Sequence, residues 1–175
     1  ERMIKRLLIE RGYDEILSFT LISEKEHESL AVFQEKEPYR VLNPMTKDHE
    51  IVRSDLLPSM LLTLRYNLSH QHKNLSLFEI SPVDTKDGTK TYLSLGLAGE
   101  TSLTEDYKTR PFDFFDLKGV FEAVMEKMGI GENRYRLSYT KNPKFHPKAA
   151  CDVFLGKDLL GTFGKLHPSV CKENI

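Results

Sequence analysis

The sequence contains no tryptophan, only two cysteines and no apolar run long enough to cross a membrane. Two cysteines, Cys151 and Cys171, exclude a disulfide framework and favour free thiols in a reducing, cytoplasmic compartment. Neither sign of charge dominates, because 25 Lys and Arg face 26 Asp and Glu for a net charge of -1. This balance argues against a protein held on nucleic acid mainly by neutralising phosphates.

Several sequence patterns that carry chemistry are also missing. There is no glycine-rich loop that would cradle a phosphate, because the pair Gly161 and Gly164 lacks a third glycine and a following helix. Neither a serine nucleophile elbow nor a zinc-protease helix occurs. The sequence therefore predicts no catalytic residue, no resident cofactor and no metal site in this chain.

What remains is a globular composition. The chain has 175 residues, of which 39% are hydrophobic and 29% are charged, and this suits one domain over 1–175 with a single sizeable core. Glu1 lies inside a helical pattern without a preceding cap, and residues 169–175 stop without a helix terminator. We therefore expect a fragment of a longer polypeptide.

Helical spacing and capping residues predict four helices. Met3, Ile4, Leu7 and Leu8 form one apolar stripe, and Gly12 suits the left-handed position that ends a helix. A second helix over 23–33 begins at Ser23, and a third begins near Pro58. The fourth is the clearest, with Asp113 and Asp116 as a variant capping box, a long apolar stripe from Leu117 to Met128, and Gly129 at its end.

Alternating apolar residues predict the strands. Leu17, Phe19 and Leu21 indicate a half-buried strand, and further strands are predicted at 75–80, 92–98 and 135–139. Gly96 suggests a bulge or a close backbone approach. The turn at 156–158 joins a strand ending at Leu155 to one at 159–163 as a hairpin. Strands that come in runs, with helices between only some of them, favour an α+β fold with a mainly antiparallel sheet.

The carboxylates have structural explanations that compete with chemical ones. Glu79 lies in an apolar strand, so it needs a partner or a wet cleft, and Arg53 and Arg65 are the possible partners. Asp113, Asp116 and Glu122 allow paired acid–base chemistry or Mg²⁺ binding. Helix capping and the helix dipole explain the two aspartates more simply.

A zinc site competes with ordinary packing in the C-terminal third. His146, Cys151, His167 and Cys171 have a spacing compatible with zinc ligands. The packing alternative is stronger, because Cys151 lies in an alternating apolar strand and each of these histidines precedes a proline in a rigid turn.

Local positive charge offers a candidate RNA surface. The basic residues of this cluster are Arg134, Arg136, Lys141, Lys144 and Lys148, with Tyr135 and Tyr139 between them. Such a cluster can contact RNA phosphates, although a solvated strand face is the stronger explanation given the neutral total charge. A second group, His70, His72 and Lys73 at a helix end, is explained most simply as complementing the helix dipole.

Several short segments occur together in a fixed order. They are residues 11–20, Asn43-Pro44, Arg53 through Leu57-Pro58, Leu77 to Ile80, Phe112 to Gly119, Phe145-His146-Pro147 and Leu166-His167-Pro168. Together they resemble the core domain of the β subunit of bacterial phenylalanine–tRNA ligases, over nearly the whole chain. One departure is Lys148, where the family commonly has glycine.

The resemblance implies a class II synthetase-like fold, in which an antiparallel sheet is flanked by helices. It also implies an assembly of two α and two β subunits that charges tRNA(Phe) in the cytoplasm, with ATP and Mg²⁺ used by the α subunit. Class II catalysis needs a strand-borne Arg for the ATP α-phosphate and a later glycine-rich segment ending in Arg. The strand at 75–80 lacks that Arg, so the resemblance implies a non-catalytic scaffold.

The resemblance also implies a subunit interface. Residues 3–21 are similar to the class II segment that packs subunits together, so the interface would use Met3, Ile4, Leu7 and Leu8. An amphipathic stripe does not identify what it faces, and packing within the chain's own core is the equal alternative. The alternative function is an RNA-binding module that contacts tRNA through residues 134–148.

Overall fold

Three small sheets and five helices make up the described chain. The computed structural model describes residues 1–31, 38–85, 88–101 and 108–174. The α-helices are α1 (Arg2–Glu10), α2 (Glu24–Leu30), α3 (Leu57–Ser69), α4 (Phe114–Lys127) and α5 (Pro168–Asn174). The strands are β1 (Asp14–Glu15), β2 (Leu21–Ile22), β3 (Ile51–Val52), β4 (Leu75–Thr85), β5 (Gly88–Ala98), β6 (Tyr135–Tyr139), β7 (Phe145–Leu155) and β8 (Asp158–Leu166).

The sheets confirm a mixed fold with mainly antiparallel pairing. The central sheet has the order β1-β4-β5, in which β1 runs parallel to β4 and β4 and β5 form a long antiparallel pair. A short ribbon pairs β2 with β3, and an isolated bridge from Arg40 to Ile51 widens it. The third sheet, β6-β7-β8, is antiparallel throughout and contains the predicted hairpin. Among the described strands, only β1 and β4 are parallel.

Helix boundaries follow the capping residues that the sequence supplies. The Ser23 and Glu26 side chains form a reciprocal capping box at the start of α2, and Asp113 and Asp116 do the same for α4. Each box satisfies two backbone groups that a helix start otherwise leaves without partners. After α1 the chain turns through Gly12, whose φ is +81°, as the sequence predicts. The predicted end of the second helix, beyond residue 31, lies outside the described residues.

Helices cover both faces of the central sheet. On one face, Phe78 packs with Ile4 and Leu8 of α1 and with the buried residues of α4. On the other, Leu77 packs with the α3 side chains Met60, Leu61 and Leu64. Fully burying side chains of this size contributes roughly 1.5–3 kcal/mol each. Both faces of the sheet are therefore covered by helices where β4 passes through its centre.

Gly96 allows α3 to lie close against the sheet. A Cβ atom at this position would come within 2.7 Å of the Met60 Sδ atom and 3.0 Å of Leu64 Cδ1. The β4–β5 register continues through Gly96 without a shift. Of the two predicted explanations for this glycine, close approach is confirmed and a bulge is wrong.

The predicted half-buried strand around Leu17 and Phe19 is wrong. Leu17 is 91% exposed and Phe19 is 79% exposed, and β2 begins only at Leu21. The residue between them, Ser18, faces inward, because its hydroxyl donates to Glu79. The alternation exists, but the polar residue occupies the inner side and the apolar residues occupy the outer side.

Candidate functional site

A buried ion pair lies at the point where the resemblance expects a catalytic cation. Glu79 comes from β4, and Arg53 follows β3 in the segment that leads into α3. The Arg53 Nη2 atom donates to Glu79 Oε1 at 2.8 Å, and the two side chains are only 3% and 1% exposed. This geometry confirms the prediction that Glu79 needs a partner. It selects Arg53, because Arg65 lies on the exposed side of α3.

Three serine hydroxyls complete the polar network around this pair. Ser18 donates to Glu79 Oε2 at 2.6 Å, and Ser81 donates to Oε1 at 2.9 Å. Arg53 also donates to the hydroxyls of Ser18 and Ser59. Burial opposes ionisation of Glu79, but the hydrogen bonds from Ser18 and Arg53 outweigh it, so the pKa of Glu79 lies below its usual value. The carboxylate therefore stays charged near neutral pH, with its charge balanced inside the protein.

This network can stabilise the fold but does not form an open reaction site. A general acid or base must reach a substrate proton, and neither Glu79 nor Arg53 has appreciable exposed surface. A phosphate-binding cation must face its ligand, whereas the Arg53 guanidinium faces Glu79 and two serines. The strand β4 itself, from Leu75 to Thr85, contains no Lys or Arg.

The other carboxylates that the sequence singles out act at the start of α4. Arg110 holds the Asp116 carboxylate in a two-pronged ion pair, with Nη1 and Nη2 at 2.8 and 2.7 Å from its oxygens. These hydrogen bonds lower the pKa of Asp116, although burial opposes the shift. A hydrogen bond from the Asp113 backbone lowers the pKa further. Glu122 is paired with Lys118 one helical turn away. The capping explanation accounts for the two aspartates, and Glu122 lies in a separate pair.

The two histidines of the zinc pattern form local hydrogen bonds, and the two cysteines are free thiols. His146 Nδ1 accepts a hydrogen bond from the Lys148 amide, and His167 Nδ1 contacts the Ser169 hydroxyl at 2.7 Å. Cys151 is buried in β7, and burial raises the pKa of its thiol to about 11. Within the described ranges, no three His, Cys, Asp or Glu residues are grouped as metal ligands.

The α1 stripe divides between the core and the surface. Ile4 and Leu8 are 8% and 0% exposed and pack against the chain's own central sheet, so neither offers surface to another subunit. For these two residues the alternative of packing within the chain's own core accounts for the contacts, because a helix this close to the sheet buries one side of its stripe. The subunit interface stays a prediction. Met3 and Leu7 instead line an open groove of about 390 Å³ beside Arg11 and the α4 residue Ala123.

The basic segment of residues 134–148 does not behave as one charged patch. Lys144 is half-buried, and its ammonium group donates to the backbone carbonyl oxygens of Ala31 and Glu28 at the end of α2. The Arg136 guanidinium lies 4.8 Å from the centre of the Phe154 ring. Arg136 pairs with Phe154, six residues from Lys148 along β7, which corresponds to roughly 20 Å of strand. Lys144 is therefore committed to the fold, and Arg136 is distant from Lys148; Arg134 and Lys141 remain exposed.

Sequence reasoning missed the exposure of four large apolar side chains in two segments, residues 17–19 and 42–45. We call these four residues, Leu17, Phe19, Leu42 and Met45, the apolar lobe. Leu42 is 95% exposed and Met45 is 99% exposed. His49 contacts residues in or next to both of these segments. The Phe19 ring is 5.7 Å from the His49 ring, and Thr46, next to Met45, contacts His49 Nδ1 at 3.0 Å. A signal was present in the sequence, because Leu42 and Met45 flank Asn43-Pro44 in a segment with no helix or strand period.

Comparison with known proteins identifies similar chains. A family model described as the phenylalanyl tRNA synthetase beta chain CLM domain matches residues 1–174. The phenylalanine–tRNA ligase beta subunit of Rickettsia typhi is 33% identical over 172 residues, which cover 96% of this chain and 21% of that protein. The subunit of the same name from Symbiobacterium thermophilum is 33% identical over 176 residues, 95% of this chain and 20% of that protein. The chain thus spans about a fifth of the length of these relatives.

Solved structures agree on the fold. A pyrrolysyl-tRNA synthetase from Desulfitobacterium hafniense superposes with a TM-score of 0.71 at 17% identity, over 98% of this chain and 60% of that chain. At this identity the likeness concerns the fold alone, and it supports the class II synthetase-like architecture. No helix in the described part of the chain has the length and apolar character needed to span a membrane.

Proposed function

The chain belongs to the phenylalanyl-tRNA synthetase β-chain family, and we propose that it is a non-catalytic scaffold domain of the ligase. In this proposal it supports the α subunit, which attaches phenylalanine to tRNA(Phe) with ATP. The observation that supports the proposal is that the central strand β4 has no open face. Helices pack on both faces of β4, and the one carboxylate that the sequence suggested for a cleft, Glu79, is neutralised inside the protein by Arg53.

ATP and Mg²⁺ belong to the α subunit in this proposal. Forming an adenylate develops negative charge on phosphate, and a preorganised cation facing that charge is what stabilises it. The described residues of β4 offer a carboxylate in place of a cation, and the nearest guanidinium is already bound to that carboxylate. The residues present therefore do not fit the nucleotide, and no step of the reaction is assigned to them.

The apolar lobe is the surface that we assign to contact with the α subunit. Exposed apolar patches rimmed by polar groups mark protein–protein contacts, and aromatic side chains contribute much of the binding energy there. Phe19 is 79% exposed and makes a T-shaped contact with His49, so burying it on a partner gains a large apolar area. Because the matched relatives are β subunits of longer length, the expected occupant is another part of the ligase rather than an unrelated protein.

The groove beside Met3 and Leu7 is a second candidate contact within the same assembly. It lies between α1 and α4, and its rim carries Arg11, Glu126 and Lys127. Two exposed apolar surfaces on one chain suit an assembly with more than one neighbour, such as two α and two β subunits. The residues that line the groove are not aromatic, whereas the lobe contains the exposed Phe19. A mutation in the lobe is therefore the better test.

Co-purification with the α subunit tests the proposal. Phe19→Asp in the full-length β subunit should reduce the captured α subunit by about 30-fold, the effect of losing a contact worth ~2 kcal/mol at an interface. Tyr139→Asp is the matched control, because Tyr139 is also aromatic and is 76% exposed, at the end of β6 in the third sheet. Circular dichroism should be unchanged for both variants. Equal capture by the Phe19 variant and the control would contradict the assignment of the lobe.

RNA binding through residues 134–148 is not favoured as an alternative. Tight phosphate binding needs several cations on one surface, and the salt dependence of binding grows with their number. Lys144 is used to end α2, and Arg136 and Lys148 are spread along the third sheet.

A further inference from the structure

An exposed pair of aromatic rings lies at the end of α3, far along the helix from the buried ion pair. The Tyr66 and His70 rings are stacked, with their centres 4.1 Å apart and their planes inclined by 29°. They are four residues apart, which places them on the same face of the helix. Tyr66 is 63% exposed, so the side of its ring that does not contact His70 faces solvent.

The His70 ring is held in position by the backbone. Its Nδ1 atom is 2.8 Å from the Tyr66 carbonyl oxygen. Because a carbonyl can only accept a hydrogen bond, Nδ1 is the donor in this contact. The chain then reverses through Gln71, which has a φ of +67°, and the His72 amide bonds back to the Asn67 carbonyl. The stacked pair is thus ordered before any ligand arrives.

The segment that carries the pair contains basic residues and no acid. Residues 56–78 contain no Asp or Glu, whereas Arg65 and Lys73 flank the two rings in sequence and are exposed. Neither Arg65 nor Lys73 forms an ion pair with a residue that the structure describes. The first acid after this segment, Glu79, is buried against Arg53, and Glu100 follows farther along the chain. The Glu100 amide N–H donates to Asn74 Oδ1, and the Glu100 carboxylate accepts from the Thr109 hydroxyl.

We propose that Tyr66 and His70 form a stacking platform for a base of single-stranded RNA, with Arg65 and Lys73 holding the adjoining phosphates. An exposed aromatic face accepts any base by stacking, and flanking cations provide the phosphate contacts. The carbonyl end of α3 disfavours phosphate, so the strand must place a base over the rings and its phosphates towards the two cations. An apolar protein partner fits less well, because the surrounding residues Ser69, Gln71 and Asn74 are polar.

This inference goes beyond the scaffold role, and its failure is distinguishable from failure of that role. The scaffold proposal concerns capture of the α subunit through Phe19. The platform concerns RNA contact at Tyr66 on another element. A Tyr66→Ala complex that assembles normally but contacts RNA less supports the platform and leaves the scaffold untouched.

Ultraviolet crosslinking and fluorescence anisotropy on the assembled ligase test the platform. The probe is a fluorescein-labelled oligoadenylate of about 12 nucleotides, within the usual site size for single-stranded binding. The wild-type complex should crosslink through the peptide that contains Tyr66. Tyr66→Ala should remove that crosslink and weaken binding about 5- to 150-fold, the range for loss of one stacked base. Tyr66→Phe keeps the ring and should retain both signals.

The cations and the rival surface provide the controls. Lys73→Gln should lower the slope of log affinity against log salt by about 1, as expected when one phosphate contact is lost. Tyr139→Ala, which removes an exposed aromatic within the basic 134–148 segment, should change neither signal. Three results would each overturn the platform: an unchanged Tyr66→Ala complex, loss of RNA contact in Tyr139→Ala instead, or loss of α-subunit capture in Tyr66→Ala, which would make the site a protein contact.

Discussion

At the scale of single residues, the Arg53–Glu79 pair is stabilising only while both partners are present. Removing two charges from water costs several kcal/mol per ion, and their mutual attraction with the serine hydroxyls offsets that cost. One Arg53 atom, Nε, has no hydrogen-bond partner among the described residues, so the pair is not fully satisfied even now. We regard the pair as a specific contact that fixes β4 against the segment before α3, which we call the lock, and not as a large source of stability.

A double-mutant cycle measures this lock. Glu79→Leu leaves an uncompensated buried guanidinium and should lower the free energy of unfolding by about 3–5 kcal/mol. Adding Arg53→Met should recover most of that loss, because the two apolar side chains then replace both charges. Urea denaturation of the two single variants and the double variant gives the coupling energy. Additive single effects would contradict a direct pair.

At the scale of elements, α2 depends on a side chain more than a hundred residues away. The helix has seven residues, too few to be stable by its own propensity. Its start is secured locally by Ser23 and Glu26, but its end is secured by Lys144, whose ammonium group donates to the Ala31 carbonyl at 2.6 Å. A cation at this end also complements the helix dipole.

Removal of the Lys144 charge tests this dependence. Lys144→Met keeps most of the aliphatic chain and should lower the free energy of unfolding by about 0.5–2 kcal/mol, the range for a partly buried cation at a helix end. Lys141→Met is the matched control, because Lys141 is exposed in the same segment, and its effect should stay within about 0.5 kcal/mol. Equal denaturation curves for the two variants would show that the bond to Ala31 contributes nothing.

The same elements show which features were predictable from the sequence. Caps are local, so Ser23, Asp113 and Gly12 correctly placed helix ends. The period-two pattern at Leu17 and Phe19 was interpreted wrongly, because alternation separates two faces without indicating which one is inside. Ser18 is drawn inward by Glu79, a residue 61 positions away. The choice of Arg53 over Arg65 and the role of Lys144 likewise depend on distant contacts, which spacing along the chain does not encode.

At the scale of the whole molecule, the question is whether the central sheet contributes to chemistry or only to shape. Both faces of β4 are occupied, one by α1 and α4 and the other by α3, whose Met60 side chain would have to shift to admit a Cβ atom at Gly96. Opening a nucleotide site on this strand would require displacing a helix and unpairing Glu79. Restoring a single cation therefore does not recreate an adenylating pocket.

The assembled ligase provides the decisive comparison. The chain alone should give no phenylalanine-dependent ATP–pyrophosphate exchange. The ligase carrying Arg53→Met and Glu79→Leu together should keep its exchange rate within about twofold, because the pair touches no reacting group. A group that stabilises the transition state directly is worth about 10²–10³ in kcat, so a loss of that size in a complex that still assembles would place the pair in the reaction. Retained exchange, with a lower unfolding temperature in Glu79→Leu alone, fits a lock inside a scaffold.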